Sequence, residues 1–256
     1  VDKADKYYEE KNYQEALKNY LIAANAGDVH AQNWVGWMYQ SAEGVERNYK
    51  EAYKWHLKAA DQGNMYGQYN LGRMYRYGRG IAKDVLLAIQ WYEKAAAQNY
   101  SDAMNELGNI YYNGEGIAED YAKAVEWYRK AADQGNMYGQ YNLGRMYRYG
   151  RGIAKDVLLA IQWYEKAAAQ NYSDAMNELG NIYYNGEGVA EDYAKAMQWY
   201  RKAADQGNMY GEFNIGLLYE FGYGVTKNLD EATKWYRRAA NRGMERAKTK
   251  LKELGR

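Results

Sequence analysis

A Leu-Gly pair returns every 36 residues, at Leu71-Gly72, Leu107-Gly108, Leu143-Gly144 and Leu179-Gly180, with Val35-Gly36 and Ile215-Gly216 in the same register outside them. A fixed period of this length marks a chain built from stacked supersecondary units, each of which buries its apolar face only against its neighbours. The 256 residues therefore count repeats rather than globular domains. The unit is cleanest from Met65 to Tyr100, MYGQYNLGRMYRYGRGIAKDVLLAIQWYEKAAAQNY.

Each unit reads as two helices. In helix A, from about Met65 to Tyr77, the residues Gly67, Leu71, Met74 and Tyr75 share one face at the spacing of a buried stripe. Gly78 and Gly80 end that helix, because glycine enters positive φ without steric penalty. Asp84 then caps helix B, which runs from about Val85 to Gln98. The same slot holds Asn12, Asn48, Asp120, Asp156, Asp192 and Asn228. Helix B carries Ala88, Trp91, Tyr92, Ala95 and Ala96 on one broad side. The slot after it holds Gly27, Gly63, Asn99, Gly135, Asn171, Gly207 and Gly243, residues that tolerate a left-handed C-terminal cap. The pattern places units at 1–28, 29–64, 65–100, 101–136, 137–172, 173–208 and 209–244, with a charged capping segment at 245–256. No linker interrupts them, so one continuous domain is expected.

A second period lies over the first. Lys58 to Gly116 recurs unchanged as Lys130 to Gly188, an offset of two units. Fold requirements do not impose identity at every position, so the copy reflects recent tandem duplication or deliberate construction.

Leu-Gly-x-x-Tyr, then Gly-x-Gly-Ile/Val-x-x-Asp, then Ala-x-x-Trp-Tyr-x-x-Ala-Ala closely resembles the Sel-one-like repeat, a relative of the tetratricopeptide repeat with a longer turn between its helices. Here the pattern is Leu143-Gly144, Tyr147, Gly150, Gly152-Ile153, Asp156, Ala160, Trp163-Tyr164 and Ala167-Ala168, and it covers essentially the whole chain. The resemblance implies an all-α, right-handed solenoid of about seven repeats plus a C-terminal capping helix, acting as a scaffold that binds proteins or peptides. Members of that family include bacterial adaptors, host-interaction factors, signalling regulators and immunity proteins paired with secreted toxins. Some members link their helices through cysteines; this chain has none and stands outside that branch.

By similarity to the tetratricopeptide arrangement, the face of helix A opposite the core stripe lines a concave groove. That face holds Tyr66, Tyr69, Arg73, Arg76 and Tyr77 in one unit and Tyr138, Tyr141, Arg145, Arg148 and Tyr149 two units later. Tyrosine and arginine are enriched at binding hot spots, where they offer apolar area with directed hydrogen bonds. Lateral packing of the tyrosines and pairing of the arginines with nearby acids is the structural alternative. Between these bands the same slots hold Asn105 and Asn109, then Asn177 and Asn181, amides suited to the backbone of an extended peptide. The first full unit offers His30, Asn33, Trp34 and Trp37. A protein or peptide partner, acidic or aromatic-bearing, is therefore expected on the arginine bands.

Other functions find little support. Lys and Arg number 34 against 33 Asp and Glu, so the basic excess that nucleic acid or an anionic membrane demands is missing. No stretch approaches the roughly 18 apolar residues of a membrane span. The absence of cysteine removes thiol nucleophiles and zinc–thiolate sites and leaves the redox compartment open. His30 has no second ligand beside it, and His56 stands where other units carry the tyrosine of a Trp-Tyr pair, so neither a metal nor any other cofactor is expected. The pairs Trp91-Tyr92, Trp127-Tyr128, Trp163-Tyr164 and Trp199-Tyr200 read as core. The Gly-x-Gly turns follow helices and lack the lysine of a phosphate loop. Ser41, Ser101 and Ser173 have no activating histidine, and acids such as Glu119-Asp120 sit where a helix start favours them. The chain reads as a non-enzymatic binding scaffold; the alternative is a structural or engineered scaffold with no dedicated ligand. Self-association through exposed tyrosines is compatible with the sequence. If the chain is bacterial, periplasm or exterior is favoured over cytosol; it begins at Val1, so any signal peptide lies outside this sequence.

Overall fold

A computed structural model describes residues 1–255, and among them there are fifteen helices and no strand. The first repeat contributes α1 (Asp2–Glu9) and α2 (Tyr13–Asn25). Helix pairs then follow in order: α3 (Val29–Ser41) with α4 (Tyr49–Asp61), α5 (Met65–Tyr77) with α6 (Val85–Ala96), and α7 (Ser101–Asn113) with α8 (Tyr121–Asp133). They continue as α9 (Met137–Tyr149) with α10 (Val157–Ala169), α11 (Ser173–Asn185) with α12 (Tyr193–Asp205), and α13 (Met209–Phe221) with α14 (Leu229–Asn241). The last helix is α15 (Glu245–Glu253). The chain divides into two compact units, residues 1–127 and 128–256, and within each a helix packs on the next in sequence, as an α-solenoid requires.

The helix ends follow from local chemistry. Asp84 Oδ1 accepts from the Leu87 amide at 2.9 Å, and Asn48, Asp156, Asp192 and Asn228 cap their helices in the same way. Asn12 and Asp120 do likewise for α2 and α8. At the other end, Asn99 and Asn171 adopt the left-handed conformation at φ 64°, as do the glycines that share their slot.

The Leu-Gly motif and the helix-B tyrosine are two halves of one contact. A Cβ on Gly72 would lie 2.6 Å from the Tyr92 ring, one on Gly144 would lie 2.9 Å from Tyr164, and one on Gly180 would lie 2.4 Å from Tyr200. The missing side chain lets helix A close directly onto an aromatic ring. Tyr20, Tyr92, Tyr164, Tyr200 and Tyr236 are accordingly among the largest fully buried side chains. Successive repeats are also joined by amides: Gln62 donates to Gln32, Gln98 to Gln68 and Gln170 to Gln140, each at 2.8–2.9 Å. In the last repeat those slots hold Arg242 and Glu212, and the buried Glu212 carboxylate receives Arg238 and Arg242 instead.

Two expectations are corrected. The Trp-Tyr pairs are not uniformly core: the tyrosine is inside, whereas Trp91, Trp163 and Trp199 are half-buried. Each carries a lysine ammonium over its ring, Lys94, Lys166 and Lys202 at 3.8–4.2 Å from the centroid, because the lysine lies three residues on along the helix. Tyr75, placed on the buried stripe, is only half-buried and shares a 3.0 Å hydrogen bond with Tyr53 through its hydroxyl.

Candidate functional site

In the first unit, α3 presents His30, Asn33, Trp34 and Trp37, and α5 presents Tyr66, Tyr69, Asn70 and Arg73. Both sets follow i, i+3, i+4, i+7, so each is a single stripe along its helix. Together with Tyr100, at the start of α7, they line a cavity of about 420 Å³. The Tyr100 ring stands edge-on to Tyr66 and Tyr69, with centroids 5.3 and 5.0 Å away. Tyr8 and Tyr20 support Trp34 from behind, at 4.7 and 5.8 Å.

The floor is polar and held in place. Asn33 Oδ1 lies 3.0 Å from His56 Nδ1 and accepts from Asn70 Nδ2 at 3.3 Å. Burial, reinforced by the charge of Arg73, pushes the His56 pKa down to about 3, so this histidine is neutral at physiological pH. Burial raises the Tyr69 pKa to about 12, which keeps its hydroxyl protonated. The Arg73 guanidinium sits 5.8 Å from the Tyr69 centroid, and no described residue forms an ion pair with it.

Arg76, one turn further along α5, behaves oppositely. It is buried, donates to both Glu115 oxygens at 2.6 and 2.8 Å, and also pairs with Glu106. Burial works against its charge, but Glu115 and Glu106 outweigh it and raise its pKa. In return, the hydrogen bond from Arg76 holds the Glu115 carboxyl below its usual value. Arg148 repeats the arrangement in the second unit with Glu187 and Glu178.

The second unit has a cavity of about 400 Å³ on the corresponding slots of α11 and α13, closed by Arg246 from α15. Its chemistry differs. Asp174, Asn177, Glu178 and Asn181 replace the aromatic stripe, facing Tyr210, Phe213 and Asn214. The amides are already engaged: Asn214 Nδ2 donates to Asn177 at 3.0 Å, and Tyr200 donates to Asn181 at 2.9 Å.

The predicted site residues thus separate into classes. Tyr66, Tyr77, Tyr138 and Tyr149 are exposed, between 43% and 51%. Tyr69, Arg73, Tyr141 and Arg145 are half-buried. Arg76 and Arg148 do not face the groove, since each is spent on a pair of glutamates. Asn105 and Asn177 are buried, and Asn109 and Asn181 donate to Glu106 and Glu178 at 3.4 and 3.2 Å. The structure brings Tyr66, Tyr69 and Arg73 together with Asn70 and Tyr100, which the sequence pattern had not singled out as binding residues. Tyr100 did leave a signal: it fills the slot where Asn64, Asn136 and Asn208 cap helix A, yet α7 has no side-chain cap. Among the described residues no cluster of three metal-ligating side chains occurs, and no helix is long and apolar enough to cross a membrane.

The model of the Sel1 repeat matches seven times, at residues 6–28, 29–64, 66–100, 101–136, 138–172, 173–208 and 210–244. Among solved structures, a Sel1 repeat protein from Oxalobacter formigenes is 33% identical, with 93% of this chain and 95% of that one covered and a TM-score of 0.82. The c5321 protein of uropathogenic Escherichia coli, a protective antigen displaying an SLR fold, is 37% identical with a TM-score of 0.81; the match covers 94% of this chain and 52% of that one. The chain therefore spans about half the length of c5321. The immunity protein Pa5087 from Pseudomonas aeruginosa shares the fold at 23% identity and a TM-score of 0.53, over 79% of this chain and 80% of that one. A comparison with curated proteins found no match.

Proposed function

This chain belongs to the Sel1 repeat family, and we propose that it is a non-enzymatic scaffold that recognises a partner protein through the helix-A face of its first unit. The observation that supports this reading is the α3–α5 cavity, where five aromatic residues surround an arginine that has no ion-pair partner among the described residues. A purely structural face has no need to keep such a set in contact with water, since the neighbouring Arg76 shows how a structural arginine is neutralised. Adaptor and toxin-immunity roles both fit a scaffold of this kind. The unchanged copy of Lys58–Gly116 favours the other reading, a scaffold selected for folding alone.

The test uses the purified chain as bait against bacterial lysate and secreted proteins, beside a variant with Tyr69, Arg73, Tyr141 and Arg145 replaced by Ala. Binding by the parent chain and loss by the variant, confirmed with the isolated partner, is the expected result. Equal retention by both would move recognition away from the helix-A face, and no retention by either would favour the folding scaffold. If the retained protein is a toxin, inhibition of its activity by the parent chain separates immunity from adaptor function.

A further inference from the structure

Resting on that binding role, we propose that the α3–α5 cavity reads an acidic peptide segment by taking one aromatic side chain between its own rings while an adjacent carboxylate docks on Arg73. Among the described residues that line the cavity, Arg73 is the only arginine or lysine and none is an aspartate or glutamate, while Asp5 lies outside it, 4.0 Å from His30. Its guanidinium rests over the Tyr69 ring and has no ion pair among the described residues. A guanidinium presents a rigid fork of donors that matches a carboxylate bidentately, and it does so most strongly where aromatic walls exclude water. Basic segments are opposed by the same charge.

The walls select the second element. Trp34, Trp37 and Tyr66 offer flat apolar area, and aromatic rings attract one another in edge-to-face and offset-stacked contacts beyond the burial of area. A volume of about 420 Å³ lies near the lower end of the range for ligand pockets, roughly 300–1,000 Å³. It fits one large side chain with its neighbouring residue rather than a docked helix, so ring and carboxylate must be close in the ligand's sequence. Tyr100 completes the wall. It stands in a capping slot without capping, and its ring closes the cavity against Tyr66 and Tyr69, as its copy Tyr172 packs against Tyr138 and Tyr141.

The cavity's full chemistry is encoded once. Tyr138, Tyr141, Asn142 and Arg145 copy the α5 stripe, but 36 residues before them the sequence has Asp102, Asn105, Glu106 and Asn109 in place of His30, Asn33, Trp34 and Trp37. Specificity for a ring beside a carboxylate is therefore assigned to Arg73.

The experiment is fluorescence anisotropy of a dye-labelled, end-capped heptapeptide, Ser-Gly-Asp-Phe-Asp-Gly-Ser, titrated with the full chain. Lys-for-Asp and Ala-for-Phe peptides serve as comparators and phenylacetate as a competitor. The Asp-Phe peptide should bind at least tenfold more tightly than either comparator. Arg73→Gln should weaken it by about tenfold or more, the effect expected for one charge-assisted pair, and Arg73→Lys should weaken it less. Circular dichroism of both variants verifies that the fold is retained. Equal affinity for the Asp-Phe and Lys-Phe peptides, or no effect of Arg73→Gln, would overturn the inference. Competition by phenylacetate at concentrations equal to the peptide would overturn a peptide as the occupant. An unbiased displayed-peptide library distinguishes the two levels: basic or neutral binders sensitive to Trp37→Ala would sink this inference and leave the binding role standing, whereas no binders at all would sink both.

Discussion

The α3–α5 face of the first unit and the α11–α13 face of the second are built on the same backbone slots and carry opposite chemistry. The first sets Trp and Tyr around Arg73; the second sets carboxylates and amides, several of them bonded to one another, against Tyr141, Tyr210, Phe213 and Arg246. The residues that make the frame barely change between them. Leu71, Gly72 and Met74 in α5 have their counterparts in Leu179, Gly180 and Ile182 in α11, all buried. Side chains on the i, i+3, i+4, i+7 stripe of helix A can therefore vary without disturbing the fold, and that stripe is where repeats of this kind acquire individuality.

The comparison can be broken first at the frame. Gly72→Val and Gly144→Val each drive a side chain into a buried tyrosine ring, and each should cost about 3 kcal/mol by overpacking. Thermal unfolding should show equal losses in the two variants; a marked inequality would mean that the units do not share one packing rule.

Acid should then separate the units. The folded His56 pKa of about 3 lies below its ordinary value of 6.5, so below pH 6.5 the unfolded chain binds a proton that the folded chain refuses. Stability falls as pH drops from about 6.5 towards 3, by about 2–3 kcal/mol at pH 4.5 at 1.36 kcal/mol per pKa unit. The corresponding positions in the second unit are the tyrosines Tyr128, Tyr164, Tyr200 and Tyr236, so the loss should be confined to the first. His56→Tyr should abolish it, and hydrogen exchange at pH 7 and pH 5 would locate it. Glu115 and Glu187, both held low by an arginine, add a second loss in both units only as pH falls below the glutamate value of 4.5.

Removing the buried arginines sharpens the likeness. Arg76→Met and Arg148→Met each leave two partly exposed glutamates facing one another without their cation, and each should destabilise by about 2 kcal/mol, less than for a fully buried pair. Urea denaturation should show equal shifts of the midpoint. The smallest effect belongs to Ala42, which sits in the left-handed cap at φ 64° where α5 and α9 have Gly78 and Gly150. Ala42→Gly should relieve that strain and stabilise by about 1 kcal/mol, raising the melting temperature by a few degrees.

The sequence by itself determined the period, the helix pairs and their ends, because these rest on local chemistry. A Leu-Gly step, an Asp or Asn cap and a Gly or Asn stop each act within a turn of chain, and each is in place in the fold. It also determined that Arg76 and Arg73 lie on related faces of α5. Only the tertiary structure decided that Arg76 is sealed between Glu106 and Glu115 while Arg73 is not, since those glutamates lie 30 and 39 residues away on other elements. The same holds for residues identical in the two copies. The Tyr75 hydroxyl meets Tyr53, whereas its copy Tyr147 is buried and accepts from Arg129 at 2.8 Å. The difference comes from neighbours outside the copied stretch. A periodic sequence specifies its frame locally, but a side chain on that frame takes its chemistry from whichever repeat is stacked beside it.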